Sequence, residues 1–161
     1  MADAVVFLPG MMCDARLFAP QIAALSATRP VMVAPLVGGD SFAELAQRIL
    51  QDAPPRFALA GLSMGGIAAM EVIRQAPERI TRLALMDTNP LAEAPERARI
   101  RDDQIDRVLA GGLAEGIRDD MKPHYLADGP GRDAILDLCM AMALALGPDV
   151  FVAQSRALQT R

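Results

Sequence analysis

Apolar residues alternate in character along the first ninety positions, between short unbroken runs and longer stretches repeating every three or four residues. Ala4-Val5-Val6-Phe7-Leu8 is uniformly apolar and stops at Pro9-Gly10, the pattern of a central parallel strand buried on both faces. Phe18, Ile22 and Leu25 then recur at helical spacing before Pro30, and Val31 to Ala34 ending at Pro35 reads as a second short strand. Ser41-Phe42-Ala43-Glu44 has the spacing of a capping box, in which hydroxyl and carboxylate each satisfy a free backbone N–H. The stripe Phe42, Leu45, Ala46, Ile49, Leu50 and Ala53 predicts a helix with one apolar face, closed by Pro54-Pro55. Phe57 to Ala60 predicts a third strand, Ile67 to Ala76 a deeply buried helix, and Ile80 to Met86 a fourth strand ending in the turn Asp87 to Pro90. Such alternation calls for a parallel sheet with right-handed crossovers.

After Leu91 the signal is helical only. Segments around Glu96 to Ala110, Leu113 to Met121, Arg132 to Leu146 and Asp149 to Leu158 are separated by Gly111-Gly112, Asp128 to Gly131 and Gly147-Pro148. The expected organisation is therefore a sheet-building part, residues 1–90, and a helical part, residues 91–161.

Composition narrows the function classes. The 161 residues are 52% hydrophobic and 22% charged, as expected for one globular domain with a sizeable core. Sixteen Lys+Arg against twenty Asp+Glu give a net charge of -4, no basic run tracks a phosphate backbone, and aromatics are 4%, so nucleic acid is not an expected partner. Cys13 and Cys139 are far apart without metal-ligand spacing, which implies neither a zinc site nor a disulfide framework and fits a reducing, cytoplasmic compartment. The stretch Val5 to Leu8 is too short for a signal-peptide core, and Leu138 to Leu146 falls short of the roughly 20 residues that span a bilayer. The expectation is no membrane span, no metal and no cofactor.

One motif carries chemistry. Gly61-Leu62-Ser63-Met64-Gly65 is G-x-S-x-G between a predicted strand and a predicted helix, the setting of a nucleophile elbow. A strand that turns at once into a helix strains the seryl backbone and crowds its neighbours, so Gly61, Gly65 and Gly66 supply the room. The competing reading is a glycine-rich turn in which Ser63 is an ordinary helix cap. Leu8-Pro9-Gly10-Met11-Met12-Cys13-Asp14, at the carboxyl end of the first strand, faces the same crevice in a parallel sheet. The N–H groups of Met64 and Met11 could there hold an oxyanion.

With these residues in place, the sequence resembles the α/β-hydrolase superfamily, in particular small bacterial esterase-like members opening on a strand and an L-P-G-type oxyanion loop. Leu8 to Phe18, Gly61 to Gly66, Leu83 to Asn89 and the helices after Pro90 follow that family's order of oxyanion loop, elbow, strand and cap. The resemblance implies an α/β fold with a partial parallel sheet of about four strands, and residues 91–161 as a helical cap. It also implies Ser63 as nucleophile and Met11 and Met64 as oxyanion-hole donors. The expected substrate is a small or medium acyl ester, with a thioester, amide or lactone left open because such an elbow serves them all.

The family's triad runs Ser, then Asp or Glu, then His, on loops after later strands. Those core strands are absent here, which reads as the amino-terminal portion of such a hydrolase with impaired catalysis, or as a non-catalytic fragment or pseudoenzyme that binds an acyl ligand or a partner chain. The sole histidine, His124, falls in the predicted cap, where it lines a pocket or faces solvent. Asp87 holds a position that serves as the acid in some members but is more simply a turn residue. The strand around Arg82 to Met86 should be an exposed edge inviting self-association or a completing chain. Of the ten methionines, most are expected in the core, with Met11, Met12 and Met64 at the crevice.

Overall fold

The computed structural model describes residues 2–161. Four strands, β1 (Ala4–Leu8), β2 (Val31–Val33), β3 (Phe57–Leu62) and β4 (Ile80–Met86), form one parallel sheet in the order β2-β1-β3-β4. The sequential links are helices α1 (Ala19–Leu25), α2 (Phe42–Asp52) and α3 (Met64–Gln75). The register Ala4↔Phe57 to Leu8↔Gly61 sets the carboxyl end of β1 beside the end of β3.

The two faces of the sheet divide by the parity of β1. Val6 and Leu8, with Phe57 and Leu59 of β3, are buried against α2 and α3, whose Leu45, Ala46, Ile49, Ala68, Ala69 and Val72 complete the main core. Val5, Phe7 and Ala60 pack on the other face with Phe18 and the half-buried Ile22 and Leu25, and the Phe7 and Phe18 rings stack at 4.6 Å. The predicted apolar stripe of α2 is the face it buries. Half of its capping box is as predicted: the Glu44 N–H donates to Ser41 Oγ at 3.3 Å. The Glu44 carboxylate reaches one residue further back and accepts from the Asp40 N–H at 3.2 Å. At the other end of α2, the Arg79 guanidinium donates to the carbonyls of Leu50, Ala53, Pro54 and Pro55, satisfying acceptors that a helix end leaves free.

Helices α4 (Pro95–Leu109), α5 (Leu113–Gly116) and α6 (Arg132–Gln159) follow, with a single π turn over Ile117–Met121. By length and composition α6 could cross a membrane, with a mean hydropathy of 1.9 over its most apolar stretch. Gly147, at φ 82° and ψ 177°, breaks it in two, as the Gly-Pro pair predicted. Its second half is anchored in the globular core: Ala157 and Leu158 pack in the main cluster beneath the sheet, and Phe151 in a second cluster with Met12, Val108, Leu113, Ile117 and Ala143. The helical part thus reaches under the sheet as well as over its carboxyl edge.

β4 pairs only with β3, and Leu83 and Leu85 are 44% and 42% exposed. The expected apolar edge is present.

Candidate active site

At the junction of β3 and α3 the chain reverses within one residue. Ser63 has φ 52° and ψ −114°, a conformation that costs about 1–3 kcal/mol for a residue with a Cβ and must be held by its surroundings. Its N–H donates to Met86 O at 2.8 Å, and its carbonyl accepts from Gly66 N–H at 2.9 Å and from Thr88 Oγ1 at 2.8 Å. Three elements therefore clamp its backbone while its side chain is exposed and makes no capping bond to the helix it precedes. A capping serine would spend its hydroxyl on that helix; this one does not.

The glycines are required by contact. A Cβ on Gly61 would overlap the Gly65 carbonyl, one on Gly65 would overlap the Leu8 carbonyl, and one on Gly66 would lie 2.6 Å from Thr88 Cβ. Close approach of α3 to the end of β1 also brings the Pro9–Asp14 loop to the elbow: a Cβ on Gly10 would stand 3.8 Å from Ser63 Cβ. Met11 is the next residue.

The amides of this site divide sharply. Met12 N–H donates to Gln154 Oε1 at 2.8 Å, Cys13 N–H to Gly10 O at 3.1 Å, and Asp14 N–H to Met142 Sδ at 3.4 Å. Met11 N–H and Met64 N–H have no protein acceptor among the described residues. Met64 is the first residue of α3, where a free N–H and the helix dipole favour negative charge. Two free donors thus belong to residues next to the exposed Ser63: Met64 follows it in the chain, and Met11 follows Gly10, which approaches it.

The expectation of methionine side chains at the crevice needs correction for Met12 and Met64. Met12 and Met64 are 1% and 2% exposed, packed in the second and main clusters, and Met11 is half-buried between the two. The Met12 and Met64 side chains fill the layers behind the loop and the turn, whereas the Met11 Sδ lies 3.9 Å from Arg101 Nη1.

Asp87 is exposed at the end of β4 with φ 44°, and His124 is exposed in a short turn over Lys122–His124. Neither makes a hydrogen bond to Ser63 among the described residues. His124 faces solvent, one of the two places expected of it. Two cavities of about 460 Å³ open elsewhere, one beside Gly38 and Asp149, the other beside Ile67, Asn89 and Arg161. No group of three potential metal-ligating side chains occurs among the described residues.

Three arrangements lay outside the reach of sequence reasoning. Gln154, 1% exposed, crosses to the Met12 amide over 142 positions. The distant Cys13 and Cys139 come together: the interaction between the two thiols and burial push Cys13 up, whereas that interaction and the Lys122 charge lower Cys139 to about 7 against its own burial. Glu93, its side chain fully buried, accepts from Arg101 Nε at 2.7 Å and from Arg161 Nη2 at 2.7 Å. Burial pushes the Glu93 carboxyl up, but the bonds and charges of Arg101 and Arg161 outweigh it and hold the group below the usual range. Its outward signal was only an acid among arginines, a common surface pattern.

Among solved structures, an esterase from Thermogutta terrifontis superimposes with a TM-score of 0.86 at 21% identity, over 99% of this chain and 64% of that one. The enol-lactonase from Burkholderia xenovorans gives 0.81 at 21%, over 99% and 65%. The chain has the α/β-hydrolase fold. At these identities the likeness concerns the fold alone. In sequence, 87 residues are 32% identical to a pimeloyl-[acyl-carrier protein] methyl ester esterase of Klebsiella pneumoniae, 53% of this chain and 32% of that protein. The chain thus matches about a third of that relative's length and just under two thirds of the solved chains. No protein-family model matches.

Proposed function

We propose that this chain carries the nucleophile and oxyanion site of an esterase-like serine hydrolase acting on a small or medium acyl ester. The observation that carries the reading is Ser63: a strained, triply clamped backbone presenting an exposed, uncommitted hydroxyl, with the unpaired amides of Met64 and Met11 on the adjoining turn and loop. Ser63 Oγ would attack the ester carbonyl, and the Met11 and Met64 N–H groups would hold the resulting oxyanion, each such donor contributing about 3 kcal/mol to lowering the barrier. The alcohol departs with a proton, and water then releases the acyl group from Ser63. In this reading, residues 91–161 are the cap over the acyl crevice, and the likeness to a methyl ester esterase supports an ester as the substrate class.

No histidine or carboxylate hydrogen-bonds to Ser63 Oγ among the described residues, so its proton has no positioned acceptor here and turnover should be slow. An oxyanion site without a working triad retains roughly a thousandfold over water. A fluorophosphonate probe tests the reading: slow covalent labelling is expected at Ser63 and lost in Ser63→Ala. Equal labelling of both proteins, or of neither, sinks it.

The exposed leucines of β4 favour a second reading, in which this surface binds another chain and the site is a non-catalytic acyl-binding remnant. Acyl-ligand binding without any labelling of Ser63 would select it.

A further inference from the structure

The oxyanion loop is set from the far end of the chain. Along Met11–Asp14, three of four amides are taken: Met12 by Gln154 Oε1, Cys13 by Gly10 O and Asp14 by Met142 Sδ. Two of those three acceptors belong to α6. Gln154 is the stronger of them, because its side chain is enclosed and both its ends are engaged: Oε1 accepts from Met12 at 2.8 Å, and Nε2 donates to Leu36 O at 2.9 Å. It therefore ties the loop after β1 to the loop after β2.

The tie holds a conformation that the loop would not choose alone. Met12 has φ 56°, a left-handed backbone uncommon for a residue with a Cβ. Without an acceptor, its buried N–H would be left unsatisfied, and rotating the peptide to find one would reorient the adjoining Met11 unit. The amide left over when the others are satisfied is that of Met11, which follows the Gly10 that approaches Ser63.

We propose that Gln154 is a positioning residue for the oxyanion loop, holding Met12 in its left-handed conformation and so leaving the Met11 amide free to face a charge forming at Ser63. This rests on the reading of Ser63 and Met11 given above, but its structural half can be tested without it.

The experiment compares the whole chain with Gln154→Met, which keeps length and loses both hydrogen bonds, and Gln154→Glu, which keeps an oxygen for Met12. Amide NMR and hydrogen exchange are read at Met11, Met12 and Met64, alongside thermal melting and Ser63-dependent hydrolysis of 4-nitrophenyl acetate. In Gln154→Met the Met12 amide should move upfield and lose protection, Met11 should shift, and Met64 should stay. The kcat should fall about 10- to 100-fold with KM little changed. Gln154→Glu, even if it melts as low, should retain the Met12 resonance and most of kcat. If both variants perturb Met12 alike, or Gln154→Met leaves Met11 and Met12 in place, the residue is packing only and the proposal is overturned. A wild-type chain without Ser63-dependent hydrolysis would count against the esterase reading, whereas the amide signals would still decide the role of Gln154.

Discussion

Gly65→Ala is the sharpest perturbation available to this architecture. Gly65 is where α3 comes closest to the end of β1, and an added Cβ would overlap the Leu8 carbonyl and stand 2.7 Å from the Pro9 carbonyl oxygen. Ordinary van der Waals contact begins at 3.4 Å, so helix and strand must part by about 0.7 Å at Pro9 and by more at Leu8. Both contacts are backbone, which cannot swing aside as a side chain could. Forcing a group into such packing costs about 1–3 kcal/mol. At this chain length that corresponds to a fall in Tm of about 3–10 °C. Gly116→Ala is the matched control. Gly116 sits at φ −60° and ψ −43°, where a Cβ meets nothing within 4 Å, so alanine should raise stability by up to about 1 kcal/mol. Thermal melts and urea unfolding of the two variants give the numbers. The strand parted from α3 also carries the Pro9–Asp14 loop, the proposed source of an oxyanion donor, so Gly65→Ala should additionally slow labelling of Ser63 by a fluorophosphonate. A Gly65→Ala protein that melts within a degree of the parent and labels at the same rate would refute the close approach on which the site depends.

Two further outcomes follow from the electrostatics and the edge. The depressed carboxyl of Glu93 contributes stability that is fully present above the ordinary carboxylate range and is lost as pH falls through its lowered folded value. Glu93→Gln should therefore be less stable by about 2 kcal/mol near neutrality, a modest figure because Arg101 and Arg161 keep some solvent contact, and the gap should narrow in melts taken at successively lower pH below the ordinary carboxylate range. A gap independent of pH would show that the ion pairs contribute nothing. At the sheet edge, Leu83→Lys with Leu85→Lys should reduce self-association seen by sedimentation velocity; a parent protein that stays monomeric at high concentration removes the basis for that reading.

The elements that proved readable in the sequence are those whose signal lies within a dozen residues. The unbroken apolar run of β1, the stripe of α2 and the breaks at Pro54-Pro55 and Gly147-Pro148 all act through local backbone geometry and nearest-neighbour burial. The sharp reversal at Ser63 was legible for the same reason. Gly61, Gly65 and Gly66 crowd one another and Ser63 across a single turn, so motif and contact coincide. The edge character of β4 followed from its having no later strand signal to pair with.

What tertiary structure decided are the contacts that close over long stretches of chain. No spacing rule connects Gln154 to Met12, Cys139 to Cys13 or Arg161 to Glu93, because each pair meets only after the sheet and α6 have packed. The direction of the methionine side chains belongs with them. The motif marked where the backbones of Met11, Met12 and Met64 lie, but whether a side chain enters the crevice or the layer behind it depends on which neighbouring cluster has room. The sequence by itself determined the alternation of strands and helices and the reversal at Ser63, through local sterics and periodic burial. The loop conformation that leaves one particular amide unpaired was determined only when a buried glutamine from the far end of the chain came to occupy its neighbour.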